Sequence, residues 1–520
     1  MIVASIKEGW VEVQLNCRNT VFERRRPRQR AVCGPENARA IRVGELAREG
    51  SSPCIASCHH PALRVGGVAK PGGPKLSIVS FDFVDLFAGV GGFHAVLSAL
   101  GGKGVLAAEI DPWAAAVYER NWGLEPKGNV VDVAARAQEL VPEHSILTGG
   151  FPCQPFSKGG HQRGMSEIRG QMFTEILKIL EVRKPAVVFL ENVRNIAGPR
   201  QRPVWEAIIQ GLREAGYRVP SEPAVFSPHL LPRRLGGSPQ VRERVYILGT
   251  WVGRDRAREE TDMRPIVGKL PVDDWDPMTW SIEKDVLISG IKTPGDYELQ
   301  GAEMEWVKVW NNFLKTVKPA KLPGFPMWSM YWKDGQEVDP NAPDWKKVLE
   351  QKNIDFYTEN RRAIEAWLAR NPQLRTFHMS RQKLEWQAQD SPRSLHACLL
   401  QFRPSGIRAK KPTYAPALVA MAQTPIYGPL MRRLAPEETM SLQGFPAWFD
   451  FGGQPEIKSY KQMGNAIHVG AAYYALKLHV LRDAVDIEKA GGQGLVEGVK
   501  NSPERPDLNA LDPKRRVRRA

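Results

Sequence analysis

The chain has 520 residues, 42% of them hydrophobic, which is enough for a sizeable core and for more than one domain. Its formal charge of +15 favours a polyanionic partner such as nucleic acid, although residues 1–75 alone carry 13 basic and 6 acidic side chains. We find no apolar run of about 18 residues and no signal-peptide pattern. Six cysteines are too few for a disulfide scaffold. We therefore expect a cytoplasmic protein without a membrane partner.

Residues 1–76 show neither a helical nor a strand period, and they combine an arginine run with a stretch rich in glycine and proline. This composition predicts a basic, disordered extension. Cys54, Cys58, His59 and His60 lie close together within it and raise the question of zinc. Adjacent histidines do not easily complete a tetrahedron with two thiols at this spacing, so we predict an unstructured segment and no metal site.

From residue 77 onward, short apolar runs alternate with helical stretches, a pattern that predicts a mostly parallel sheet covered by helices on both faces. The expected fold class is therefore α/β, with a doubly wound, Rossmann-like sheet. The predicted strands span 81–87, 104–109, 144–148, 186–190 and 241–249, and the predicted helices lie near 113–121, 171–182 and 204–215.

The alternation stops in residues 251–430, which are rich in tryptophan, lysine and proline. We interpret this region as a smaller domain inserted into the larger one. Regular patterns return in residues 431–482, including a predicted helix at 459–481. Residues 77–250 and 431–482 then form one domain, and residues 483–520, with their arginine-rich end, are predicted to be a solvated basic tail.

A glycine-rich segment, 85–93, lies between the first predicted strand and the helix that follows it. Glycines at such a position let the backbone approach a ligand closely, although a turn without a ligand is the alternative. Glu109 and Asp111 end the next strand, where an acidic residue commonly binds ribose hydroxyls. Asp132 ends a third strand-like piece. The pattern is consistent with a cofactor-binding loop, and a chance glycine turn stays the alternative.

A second loop, 149–157, contains Cys153 and also follows a strand. It should lie at the carboxyl edge of the sheet, where open parallel sheets bind ligands. A lone cysteine is more often an inert buried residue, because a reactive thiol needs a special environment. Pro152 and Pro155 fix the turn around Cys153, which favours a functional position.

Charged side chains end two further strands. Glu191 follows a strand at the same edge and could be either a functional carboxylate or a surface residue. Arg242 and Arg244 share one face of the last strand because side chains alternate with a period of two. Such arginines are usually solvated, yet they could also hold a phosphate or orient a base.

Taken together, these segments resemble the cytosine-5 DNA methyltransferase family, and the resemblance covers about residues 77–482 except the variable middle region. The matching blocks follow the family's order. They are Asp85 to Phe93, Phe151-Pro152-Cys153-Gln154, Glu191-Asn192-Val193, Gln240 to Arg244, Arg433 to Glu438 with Leu442 to Pro446, and Gln462 to Ile467.

The resemblance implies S-adenosylmethionine as the cofactor, with Glu109 on its ribose, Asp132 at the adenine amino group and Asn465 closing the pocket. Ile110 stands where many members have an aromatic residue that stacks on adenine, and apolar contact could substitute. A late Thr-Leu pair of many members is replaced by the segment 416–419. The residues expected to bind the cofactor are Phe87, Gly89, Gly91, Gly92, Glu109, Ile110, Asp132, Pro152 and Asn465.

The resemblance also implies the chemistry. Carbon 5 of cytosine is a poor nucleophile, so the thiolate of Cys153 would add to carbon 6 and move electron density to carbon 5. Glu191 would stabilise the charge that develops on the ring. Arg242 and Arg244 would position the base and nearby backbone. Because the reacting atoms are inaccessible within a stacked duplex, the cytosine must be flipped out.

We therefore expect a DNA (cytosine-5-)-methyltransferase that acts as a monomer on double-stranded DNA, associates with the nucleoid and is a candidate for the modification half of a restriction-modification system. One alternative is a tRNA-cytosine methyltransferase, but such relatives have a short middle region, whereas this chain has about 160 residues there for a dedicated DNA reader. Another alternative is an inactive DNA-binding homologue, which would require a damaged site. Cys153 and Glu191 are both present.

Overall fold

The computed structural model describes residues 2–7, 10–15, 80–152, 168–291, 294–317, 321–420 and 423–514. The chain divides into two compact units, Met1–Lys75 and Leu76–Ala520. In the first unit, β1 (Ile2–Lys7) and β2 (Trp10–Leu15) form an antiparallel hairpin. The composition of residues 1–76 did not predict this hairpin, although its second strand alternates apolar and polar residues. The Cys54–His60 cluster lies outside the described residues.

The second unit is built around a seven-stranded sheet with the order β4-β3-β5-β6-β10-β7, in which β8 also pairs with β10. β3, β4, β5 and β6 are mutually parallel, whereas β10 runs antiparallel to β6, β7 and β8. The α/β prediction is confirmed, and the sheet is mixed. The strands up to residue 251 are β3 (Phe81–Leu86), β4 (Gly102–Ala108), β5 (Ile146–Gly149), β6 (Val187–Val193), β7 (Tyr217–Arg218), β8 (Ala224–Phe226), β9 (Gln240–Val241) and β10 (Arg244–Trp251).

Helices cover both faces of this sheet, which is why its central strands are apolar on both sides. Phe83 and Phe189 pack into one core cluster, and Val84 and Val188 pack into the other. The helices in this part of the chain are α1 (Gly92–Ala99), α2 (Pro112–Trp122), α3 (Val130–Ala135), α4 (Ala137–Leu140), α5 (Ile168–Arg183), α6 (Arg202–Glu214) and α7 (Arg254–Glu259).

The inserted region contains a second sheet with the order β11-β12-β14-β13-β16-β17. It packs around a separate aromatic core that spans residues 299–431, whereas Val267, Ile282 and Val286 belong to a core cluster of the large sheet. The compact part of the insertion therefore begins near residue 299. The elements between residues 260 and 433 are α8 (Ile282–Asp285), α9 (Gly301–Thr316), β11 (Met327–Trp328), α10 (Asp344–Arg370), β12 (Lys383–Gln387), β13 (Leu399–Arg403), β14 (Gly406–Lys410), β15 (Ala415–Pro416), β16 (Ile426–Tyr427) and β17 (Arg432–Arg433).

The C-terminal part of the chain returns to the large sheet. The single helix predicted at 459–481 is two helices, because residues 466–468 form a break and His468 Nδ1 caps the second helix by accepting a hydrogen bond from the amide of Ala471. The helices of this part are α11 (Pro436–Leu442), α12 (Glu456–Asn465), α13 (Val469–Arg482), α14 (Ala484–Lys489) and α15 (Gln493–Lys500).

Residues 483–514 do not form the solvated tail that the basic end suggested. Ile487, Leu495 and Val499 are buried in the same core cluster as α13. The apolar residues of this segment recur at three- and four-residue intervals, an amphipathic spacing that is typical of helices. Lys514 is exposed, and the residues beyond it lie outside the described part of the chain. None of the described helices is long and apolar enough to cross a membrane.

Candidate active site

A cleft of about 400 Å³ opens at the carboxyl edge of the parallel strands. The ends of β3, β4, β5 and β6 meet there because parallel neighbours end on the same side of a sheet, and the turn into β10 and the end of α12 complete the walls. Ten residues predicted from the sequence line this cleft: Phe87, Gly89, Gly92, Glu109, Ile110, Pro152, Glu191, Arg242, Arg244 and Asn465.

The glycine-rich loop between β3 and α1 requires unusual backbone angles. Phe87, Gly89 and Gly91 all have positive φ, at 53°, 55° and 90°. Gly91 does not line the cleft. Only glycine fits at this position, because a Cβ there would lie 2.0 Å from Trp122 Nε1. That indole donates a hydrogen bond to the carbonyl of Val90 (3.0 Å) and so stabilises the loop.

Gly91→Ala should destabilise the protein much more than Gly89→Ala. Both changes place a side chain at positive φ, which costs about 1–2 kcal/mol, but only Gly91 has a neighbour in the way, and overpacking adds about 1–3 kcal/mol. No atom lies within 4 Å of the Cβ position of Gly89. Urea unfolding without cofactor would measure the difference. Equal losses in free energy of unfolding would contradict this role of Gly91.

Glu109 links the loop to the next strand. Its Oε2 accepts a hydrogen bond from the amide of Gly89 (2.8 Å), and its Oε1 accepts one from the amide of Asp111 (2.7 Å). Asp111 caps α2 and also pairs with Lys461 of α12 at 3.0 Å. The neighbouring Ile110 is 73% exposed. Glu109 thus holds the shape of the cleft while its carboxylate forms part of the wall.

Asp132 lies in the first turn of α3, not at the end of a strand as we predicted. The cause is a helix N-cap that the sequence signals, in which the side chain of Asn129 accepts a hydrogen bond from the amide of Val131. Asp132 is not among the residues that line the cleft. Its contact with the cofactor adenine stays a prediction.

Cys153 lies outside the described residues, but the residues that lead to it are described. Phe151 is buried, and its carbonyl accepts a hydrogen bond from Asn192 Nδ2 at 3.0 Å. Asn192 itself is only 2% exposed. It therefore anchors the start of the cysteine loop to β6. The sequence placed Asn192 within a motif but did not reveal this role, since the contact spans 41 residues.

Glu191, one residue before this anchor, lies on the floor of the cleft. Its Oε1 forms an ion pair with Arg244 Nε at 2.8 Å, and both side chains are nearly buried. In the antiparallel register, Glu191 lies opposite Tyr246 on β10. Burial raises the pKa of Glu191, although the charges of Arg244 and Arg242 act in the opposite direction. A buried carboxyl with a raised pKa can retain a proton that it then shares with a substrate.

The structure gives the two arginines different roles. Arg242 is 1% exposed, and its guanidinium donates hydrogen bonds to the carbonyls of Leu418 (2.9 Å), Gly464 (2.9 Å) and Ala466 (2.7 Å). Burial lowers the pKa of Arg242 to about 9, and the charge of Arg244 adds to this effect. Arg242 thus holds the C-terminal end of α12, where positive charge is favourable, whereas Arg244 holds Glu191.

Asn465, the last residue of α12, is exposed at the cleft. Its position is fixed on both sides, by the Lys461–Asp111 ion pair and by the hydrogen bonds of Arg242. Within the part of the chain that the structure describes, no three His, Cys, Asp or Glu side chains are placed to hold a metal ion.

Comparison with known proteins shows the family to which the chain belongs. Residues 81–479 match the family model for C-5 cytosine-specific DNA methylase. The chain is 41% identical over 500 residues to the Type II methyltransferase M.AluI of Cellulosimicrobium cellulans, covering 81% of this chain and 96% of that protein. It is 39% identical over 171 residues to the Type II methyltransferase M.HhaI of Haemophilus parahaemolyticus, covering 33% of this chain and 49% of that protein. The chain therefore belongs to the C-5 cytosine-specific DNA methylase family and is a cytosine-5 DNA methyltransferase.

Proposed function

We propose that this enzyme methylates carbon 5 of a flipped-out cytosine in a specific duplex DNA sequence through a covalent bond between Cys153 and carbon 6. The observation that carries this proposal is the arrangement at one sheet edge of three elements. These are the glycine-rich loop, the anchored start of the cysteine loop, and the buried Glu191–Arg244 pair. With Cys153 on the cysteine loop, these elements would supply a cofactor site, a nucleophile and a group that stabilises charge.

The cleft fits S-adenosylmethionine, which belongs to the chemistry of this family and supplies an electrophilic methyl group. Open space at the Cβ position of Gly89 lets a ligand approach the loop backbone. The carboxylate of Glu109 is an acceptor for ribose hydroxyls, and Ile110 offers exposed apolar surface for adenine. Phe87 and Asn465 would enclose the ligand from two sides of the cleft.

Each of three residues then has its own role in the reaction on cytosine. The thiolate of Cys153 forms a bond to carbon 6, and the electron pair of the 5,6 double bond moves to carbon 5 and into the ring. Glu191, in its protonated form, donates a hydrogen bond at N3 and so stabilises this charge. After carbon 5 has gained the methyl group, a base removes its proton, the double bond re-forms and the thiolate leaves. Arg244 keeps Glu191 in place.

The separate core of residues 299–431 supports a dedicated reader of double-stranded DNA. We call residues 299–431 the recognition domain and assign to it the DNA sequence specificity of the enzyme. The enzyme is proposed to act as a monomer. Because M.AluI and M.HhaI are Type II methyltransferases, a role as the modification half of a restriction-modification system follows by analogy.

The proposal is tested by producing the enzyme in a host that lacks cytosine methylation and mapping 5-methylcytosine by bisulfite sequencing. We expect methylation at every copy of one short DNA sequence. Unmethylated DNA, or 5-methylcytosine confined to tRNA, would refute the assignment of DNA as the substrate.

Removing residues 1–75 should leave methylation intact. They form a compact unit of their own, and the family match begins at residue 81. Comparing the full chain with a protein that begins at Leu76 in a methyl-transfer assay would test this. A hundredfold loss of activity with normal thermal unfolding would show that the N-terminal unit takes part in the reaction.

A further inference from the structure

The second sheet presents two chemically different faces. Strand pairing places Glu385 opposite Arg408 and Gln387 opposite Lys410, and Arg403 lies on the same face as these residues. We call these five residues the polar face. The other face, which includes Leu400 and Ile407, is buried in the core of the recognition domain. A strand exposes alternate residues on opposite sides, so the polar face is directed away from this core.

Two apolar residues show where the polar face is directed. Leu399 pairs with both Lys410 and Tyr427, so these side chains share the face. Leu399 and Tyr427 belong to a core cluster of the large sheet, not to the core of the recognition domain. One end of the polar face therefore packs against the catalytic part of the chain. The rest of it continues from this end along the same side of the sheet as a wall of the recognition domain.

The charges on this wall are not balanced. Arg408 Nε pairs with Glu385 Oε2 at 2.8 Å. Neither Arg403 nor Lys410 forms an ion pair with any described residue, and Arg403 Nη1 is buried without a hydrogen-bond partner there. Partial burial and repulsion between the cations lower the pKa of both side chains. Unmatched cations on one face favour a polyanion, and phosphates would relieve this repulsion.

Glu385 also orients two potential base readers. Its Oε2 holds Arg408, and its Oε1 accepts a hydrogen bond from Gln387 Nε2. A fixed guanidinium can bind guanine through two hydrogen bonds in the major groove, and a fixed amide can bind adenine in the same way. Gln387 is exposed, and Arg408 is partly exposed.

We propose that duplex DNA lies against the polar face, with Arg403 and Lys410 on its phosphates and with Arg408 and Gln387 at base edges in the major groove. This inference rests on the proposed function, because it names the surface through which the recognition domain reads its DNA.

Salt dependence tests the phosphate contacts. Binding of the full-length enzyme is measured between 50 and 200 mM salt on a duplex oligonucleotide that carries the mapped site. Arg403→Gln and Lys410→Gln should each make the slope of the logarithm of the association constant against the logarithm of the salt concentration less steep by about 0.9. Arg403→Lys, which keeps the charge, should have the wild-type slope. Arg362→Gln is the matched control, since Arg362 is exposed on α10, which packs against the apolar face. Unchanged slopes in both glutamine variants would overturn the phosphate contacts.

Methylation mapping tests the base contacts. Arg408→Ala and Gln387→Ala should each relax the methylated sequence at one base pair, with a preference that falls by about tenfold or more. Uniformly weaker methylation at an unchanged sequence would overturn the role of these residues as base readers. The wild-type protein separates the two hypotheses. If it methylates DNA but the variants behave like Arg362→Gln, only the polar face is wrong, whereas a wild type that methylates no DNA refutes the proposed function itself.

Discussion

Cys153→Ser is expected to abolish methyl transfer while target DNA is still bound. A hydroxyl is far less ionised than a thiol near neutral pH, so the serine cannot supply the nucleophile for carbon 6. The loss should exceed about a thousandfold, because no other described group replaces the nucleophile. Initial rates of methyl transfer and the Kd for a duplex carrying the mapped site would separate the two effects.

A substrate that traps the adduct makes this prediction specific. After methyl transfer, fluorine at carbon 5 cannot be removed as a cation. In the presence of S-adenosylmethionine, DNA with 5-fluorocytosine at the target should therefore hold the wild-type enzyme in a complex that survives denaturation. Cys153→Ser should give no such complex. The matched control is Cys398→Ser, because Cys398 is buried in the recognition domain and burial raises the pKa of its thiol to about 12. A normal adduct with Cys153→Ser would remove Cys153 from the mechanism.

The position of several residues at one sheet edge could be predicted from the sequence because it follows from local patterns. Apolar runs that end in a glycine-rich turn or a charged residue predict strands of a parallel sheet, and the ends of such strands meet at one edge. Phe87, Glu109 and Glu191 come from three different strand ends, and all of them line the cleft. The position of each residue at this edge could be predicted without any knowledge of the packing.

Other features depend on contacts between distant residues, which no local pattern reveals. Arg242 and Arg244 look equivalent in sequence, but only Arg244 belongs to β10. Arg242 precedes that strand and binds the carbonyls of Leu418 and Gly464, which are more than 170 positions away. Gly464 has no room for a side chain, since a Cβ would lie 2.3 Å from the backbone of Val419. The end of the recognition domain and the end of α12 therefore meet at Arg242, and only the fold shows this.

The folded end of the chain was missed for a related reason. The helices α14 and α15 are short, and their apolar residues are separated by charged ones, so neither would be stable alone. They form because the side chains of Ile487, Val496 and Val499 are buried in the same core cluster as residues of α13. Tertiary packing, not helix propensity, determines the structure of this segment.

Glu191→Gln is expected to bind DNA but to slow methyl transfer by about a hundredfold or more, since a neutral amide stabilises developing ring charge less well than an acidic proton. The pH dependence of the methyl-transfer rate also has an expected direction. A carboxyl is protonated below its pKa, and burial raises the pKa of Glu191, so the proton is retained to higher pH than on an exposed glutamate. As the pH rises through this raised pKa, the donor is lost and the rate should fall.

The glutamine variant cannot ionise at this position, so it should lose that descending limb while the rise due to the thiolate of Cys153 remains. Glu243→Gln is the matched control, because Glu243 pairs with Arg194 at the surface and does not line the cleft. It should keep both the rate and the profile of the wild type. If Glu191→Gln showed wild-type rates, or if its alkaline limb were unchanged, then the proton that stabilises the ring would have to come from a group other than Glu191.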